Sequence, residues 1–231
     1  MGHGAGRSRS QETREEVMKR TYFLIAALII AATLIVTLAL YPDLPGRVPA
    51  HWNWRGEVDR YADKWEIFLL PGVMVFFVLF FAALPWLSPR RFGVEAFQST
   101  YLYMMLLLIV FLAYLHTLKL WAAFSKPLDM TRALLIAAYL IVTLLGNVLG
   151  RFRRNFFIGV RTPWTLASER VWDATHRFAA RAFVLAGLLA LLSMAVSSSA
   201  LAGLVILGAA ALASVFYSLA YYKRLARRNE L

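Results

Sequence analysis

Apolar and polar residues fall along this chain in long blocks. Six apolar runs, at about 21–40, 67–87, 98–121, 132–149, 178–196 and 200–222, approach or exceed the length needed to cross a hydrocarbon core. That length is about 20 residues of helix for a core of roughly 30 Å. Inside lipid a helix satisfies its own backbone groups, so the pattern predicts an all-α, polytopic membrane bundle of six transmembrane helices. The first run is longer than a signal-peptide core and no Ala-x-Ala site follows it, so it reads as an uncleaved span. The last two are separated only by Ser197-Ser198-Ser199, which reads as a tight helical hairpin. Three regions result: an N-terminal extension at 1–20, two spans with a polar loop (41–66) at 21–88, and a four-helix region at 89–231 with a second polar loop (150–178). Ahead of the first run, Thr13-Arg14-Glu15-Glu16 reads as a capping box that opens a helix.

Composition agrees with the blocks. Of 231 residues, 60% are hydrophobic and 16% charged, with a mean hydropathy of +0.60; soluble domains run nearer half apolar and a quarter charged. Cysteine is absent, which excludes disulfides, thiol catalysis and cysteine metal sites. The net charge of +12 does not read as a nucleic-acid surface, because the bases lie between apolar runs. Most of the 25 Lys and Arg residues fall on one side of the predicted bundle: the N-terminal extension, the second loop, the loop at 150–178 and the tail. Cytoplasmic loops carry such an excess, so both termini are expected in the cytoplasm of a multi-pass inner-membrane protein. Arg151, Arg153 and Arg154 read as part of this topology signal and as contacts to anionic membrane lipid.

The membrane core offers little to an ion-coupled pump. All 13 acidic residues lie in loops or at span ends, whereas proton relays and ion-coupled transporters place a charge near the midplane. The buried polar inventory is modest, with His116 and Asn147 the largest members. His116 reads either as one half of a helix–helix hydrogen bond or as a functional histidine near the outer end of its span.

Two polar segments carry the chemistry. The first, 41–66, is rich in proline, glycine and tryptophan and nearly balanced in charge, so it reads as a stiff loop at the outer membrane surface. His51, Glu57, Asp59 and Asp63 invite a metal reading, but their spacing matches no metal signature. The second runs from Asn155 to His176. Here Thr162 can cap a turn that starts at Pro163, Gly159 permits a positive φ, and Ser168 can cap the helix leading into the fifth span. Trp172 and His176 stand four apart on one helical face. Arg161 is a cation beside hydroxyl groups, able to clamp a carboxylate or phosphate or to bond helix-end carbonyls. Thr165, Ser168 and His176 lack a glycine elbow or an acid partner, which disfavours nucleophilic catalysis. The segment reads as either a structural plug or a binding site.

The string Asn155-x-x-Ile158-Gly159-Val160-Arg161-Thr162-Pro163-Trp164-Thr165-Leu166, followed by Trp172-x-x-Thr175-His176, resembles the signature of the SdpI family of bacterial membrane proteins. The outer loop, Pro49-x-His51-x-Asn53-x-x-Gly56-x-x-Asp59 with Lys64 after it, is similar to a domain of unknown function that often precedes it. The resemblance implies immunity against a secreted, membrane-active toxic peptide, together with signalling by sequestering a cytoplasmic repressor. From the residues themselves no cofactor, no enzymatic activity and no direct binding of nucleic acid are expected. On the immunity reading His51, Asn53, Gly56, Asp59 and Lys64 meet the peptide outside or brace the face that receives it. Asn155, Gly159, Arg161, Thr162, Pro163, Trp164, Thr165, Trp172 and His176 form the inner binding surface. The rival readings are a small lipid or peptide transporter and a membrane enzyme using His176 and Arg161.

Overall fold

A computed structural model describes residues 9–53, 55–87, 97–155, 158–196 and 200–231. The Ser197–Ser199 turn expected between the last two spans lies outside them. The elements in order are α1 (Arg9–Leu40), β1 (Arg47–Trp52), β2 (Val58–Asp63), α2 (Leu69–Leu87), α3 (Gln98–Ala123), α4 (Met130–Leu149), α5 (Pro163–Ala167), α6 (Glu169–Val196) and α7 (Ala200–Arg227). All but the two strands and the short α5 are long and apolar enough to cross a membrane. Their outward faces carry large exposed side chains such as Leu24, Ile35, Phe76, Leu79, Leu212 and Phe216. Only a lipid environment accommodates so much apolar surface. The chain is a multi-pass membrane protein.

The six long helices sort into two groups. In the first, α3 packs on both α1 and α2, around a core of Ala26, Ile30, Met74, Phe81, Tyr101, Leu102, Met105 and Ile109. In the second, α6 packs on both α4 and α7, with Tyr139, Ala190 and Met194 buried between them. Small residues let these backbones approach, as membrane helices require: a Cβ at Gly187 of α6 would collide with Thr143 Oγ1 of α4. Between the groups α3 and α4 touch far less, and apolar grooves run along that seam, one between Leu107–Tyr114 and Ile136–Leu144.

Polar groups inside the first group are used to bind helices together. His116 Nε2 of α3 lies 2.7 Å from Thr37 Oγ1 of α1, which realises the helix–helix reading of that histidine. Lys119 Nζ donates to Glu66 O at 3.0 Å, so a buried lysine caps the 3-10 turn Lys64–Phe68 that precedes α2.

Two local expectations are corrected. The first helix already includes Arg9, so Thr13 lies inside it and opens nothing. Residues 9–20 are rich in Arg, Gln, Glu and Lys, good helix formers, and Glu16–Arg20 closes a helical i,i+4 pair at 2.7 Å. The loop at 41–66 contains a β-hairpin. Its strands pair antiparallel, with Arg47 opposite Asp63, Val48 opposite Ala62 and Pro49 opposite Tyr61, and the ladder becomes irregular around His51.

Candidate functional site

The segment after α4 folds into a knot of hydrogen bonds. Asn155 is fully buried. Its Nδ2 donates to Arg153 O at 2.9 Å, and its Oδ1 accepts from Ile158 N–H at 2.8 Å, so one side chain substitutes for backbone pairing in the bend. At Gly159 the backbone turns with φ +117°, a conformation L side chains rarely adopt, and a Cβ there would run into His176 Nε2. That turn delivers Val160 N–H to His176 Nε2 at 3.1 Å. The opposite ring nitrogen, Nδ1, lies 2.8 Å from Trp172 O. An N–H facing Nε2 and a carbonyl facing Nδ1 place the proton on Nδ1, giving a neutral imidazole with both nitrogens engaged. The ring also stacks on Trp172 at 4.0 Å, and Trp172 Nε1–H donates to Phe152 O at 2.7 Å.

The chain then enters α5 through a reciprocal cap. Thr162 Oγ1 accepts from Thr165 N–H at 3.3 Å, and Thr162 N–H donates to Thr165 Oγ1 at 2.8 Å. Pro163 occupies the first turn, where its missing N–H costs nothing. The Thr165 hydroxyl, buried, also reaches Val160 O at 2.8 Å. Trp164 points the other way and donates from Nε1 to Ser218 Oγ of α7 at 2.7 Å.

The structure therefore brings Asn155, Gly159, Thr162, Thr165, Trp172 and His176 into one packed unit, with Pro163 as its turn and Trp164 as its tie to α7. Arg161 stands exposed on its rim. The reading of Arg154 as a topology and lipid residue is corrected, because it belongs to the knot. Its guanidinium donates to Leu166 O at 3.0 Å at the end of α5 and lies 3.5 Å from Glu169 at the start of α6. Orphan carbonyls at a helix end and a carboxylate in a first turn make such a position suitable for arginine. The knot also spans the two helix groups. Trp172 and Phe152 belong to the core of the first, with Ile158 and Leu166 packed against it, and Phe97 meets Phe152 edge-on at 5.5 Å.

At the far end of the bundle the hairpin shows similar economy. Asn53 holds the tip: Oδ1 accepts from Arg55 N–H at 2.9 Å and Glu57 N–H at 3.1 Å, and Nδ2 donates to Glu57 Oε2 at 2.9 Å. Gly56, at φ +81°, seats that tip against the start of α4, where an added Cβ would fall 2.6 Å from Thr131 Oγ1. His51 Nδ1 meets Asp59 Oδ1 at 2.6 Å across the strands, both side chains exposed. Lys64 lies apart from these, at the hairpin base, with Nζ 4.5 Å over the Tyr41 ring and its N–H bonded to Gly46 O. A small cluster of Leu44, Val48, Ile67, Leu120 and Ala123 anchors the hairpin to the end of α3.

Residues 28–75 match a pattern described as "Domain of unknown function (DUF1648)", and residues 151–218 match the SdpI/YfhL protein family. The first covers the C-terminal part of α1, the hairpin and the start of α2, and the second begins at the knot and runs into α7. The Immunity protein SdpI of Bacillus subtilis (strain 168) is 28% identical over 204 residues, which covers 87% of this chain and 96% of that protein. No solved structure matches the chain. The hairpin and the knot, placed at opposite ends of one bundle, thus fall one in each matched stretch, the hairpin in the DUF1648 match and the knot in the SdpI/YfhL match.

Proposed function

We propose that this chain is an immunity protein of the bacterial inner membrane, protecting its host from a secreted, membrane-active peptide. The observation that carries the reading is the nearly full-length likeness to the Immunity protein SdpI. The orientation follows the positive-inside rule: the knot and both termini face the cytoplasm, and the hairpin faces outward. In this reading the hairpin is the receiving element for the peptide. The knot relays its state to the inner surface, where a cytoplasmic repressor is sequestered against a face bearing the exposed Arg151, Arg153, Arg161 and Arg170.

The internal geometry supports this over the rivals. His176 is fully buried with both ring nitrogens engaged, which suits a structural post better than a general base. The grooves along the helix seam are walled by apolar side chains such as Met104, Leu145, Leu149 and Phe183, which suits a dry bundle better than a transport path. The test is expression in a strain sensitive to a secreted membrane-active peptide. Survival rising with expression is the expected result. Unchanged killing at normal membrane levels, across a panel of such peptides, overturns immunity.

A further inference from the structure

The hairpin does more than cover the ends of the helices. Between it and the α3–α4 connection lies a cavity of about 440 Å³, within the range of roughly 300–1,000 Å³ typical of ligand pockets. Its walls come from both helix groups: Pro45, Arg47, Pro49, Trp52 and Tyr61 from the hairpin side, and Ser125, Lys126 and Met130 from the connection and α4. The lining is more polar than apolar, unlike the lipid-facing grooves along the helices.

Its charge is one-sided. Arg47 and Lys126 line it, and among the described residues no acidic side chain does. Arg47 is steadied by one bond, to Tyr61 O at 3.1 Å, which leaves most of its five N–H donors for another acceptor. The acid nearest in sequence to Lys126, Asp129, is committed as the N-cap of α4, accepting from Arg132 N–H at 2.9 Å. The rim is shaped at a cost: Ser125 holds φ +56° in the left-handed region where glycine is the ordinary occupant. The walls are also stiff, with Pro45 and Pro49 on one side.

We propose that this cavity binds the carboxylate of a peptide, with Arg47 and Lys126 as its cations and Trp52 and Tyr61 as walls for the adjoining side chain. A peptide fits better than a lipid because, among the described residues, the two-stranded sheet leaves each strand an edge outside the ladder, which an extended chain can bond and an acyl chain cannot. The proposal deepens the immunity reading and rests on its outward orientation of the hairpin.

The test uses the purified full-length protein in detergent and two probes, the N-acetylated tripeptide Gly-Leu-Phe with a free carboxylate and its C-terminal amide. Titration calorimetry is expected to show the acid binding on the order of tenfold more tightly than the amide, the factor a charge-assisted bond supplies. Arg47→Gln and Lys126→Gln are each expected to erase that preference while leaving the thermal midpoint unchanged, since both side chains are exposed. Equal binding of acid and amide, or no binding of either, overturns the proposal. So does displacement of the acid by phosphatidylglycerol micelles with no competition from a second carboxylate peptide, which assigns the cavity to a lipid headgroup. Loss of peptide binding with cell protection intact removes the cavity alone; intact binding without protection removes immunity alone.

Discussion

Gly159 shows most directly how a single residue decides the shape of the inner segment. Its positive φ and the absence of a Cβ together let Val160 reach His176. Gly159→Ala therefore meets backbone strain and a collision with a buried ring, and is expected to destabilise the protein by about 2–4 kcal/mol. A lower midpoint in detergent thermal unfolding, or loss of folded protein on size exclusion, checks it; a stability equal to the parent contradicts the knot. Trp164 offers a gentler probe. Trp164→Phe and Ser218→Ala each remove the same hydrogen bond, and each is expected to cost about 1 kcal/mol. The double variant should cost less than the two together, and strict additivity in the cycle would show that the bond contributes nothing. At this scale the sequence was partly readable. Thr162 and Pro163 announced their cap by residue type and order, and Trp172 and His176 announced a shared face by spacing. What His176 bonds to was not readable, because Val160 lies 16 positions away across a glycine turn. Ser218, 54 positions from Trp164, gave no local signal.

Among the elements, the long helices were legible because lipid imposes a length and a composition on each of them. The hairpin was not. Pro49 inside β1 removes a ladder donor, and the pairing shifts register on both sides of His51, so the strand lacks the clean two-residue alternation that marks such elements. Asn53 is the residue that makes the turn, satisfying three partners from one side chain. Asn53→Ala is expected to loosen the hairpin by about 1–2 kcal/mol while leaving the helices intact. Hydrogen–deuterium exchange that accelerates over residues 47–63 and stays unchanged in α3 and α6 is the expected pattern. Unaltered protection across the hairpin would mean the tip is held by its seat on Thr131 instead.

The whole molecule has two ends that differ in kind, and their sidedness is open to direct measurement. Because the chain contains no cysteine, single cysteines placed at Lys126 and at Arg161 report without background. A membrane-impermeant maleimide applied to intact cells is expected to label position 126 at once and position 161 only after permeabilisation. The reverse order would invert the orientation drawn from the distribution of Lys and Arg. The same two ends are where the helix groups are joined: the knot inserts Trp172 into the core of the first group, and Gly56 seats the hairpin on Thr131 of α4.

The slender meeting of α3 and α4 between those two joints has a mechanical consequence. A body pinned at both poles and slack at its equator deforms by breathing, because separation at mid-height costs little packing while either pole resists. Pressure on the hairpin would then reach the opposite pole as a change in gape between the halves, without any helix sliding along its axis. A short bismaleimide bridging cysteines introduced at Val110 and Ala137, which line the same mid-height groove, should clamp that gape. On the proposed relay, fold and peptide binding are expected to survive while peptide-dependent recruitment of a cytoplasmic partner to membranes is lost; unchanged recruitment contradicts the relay.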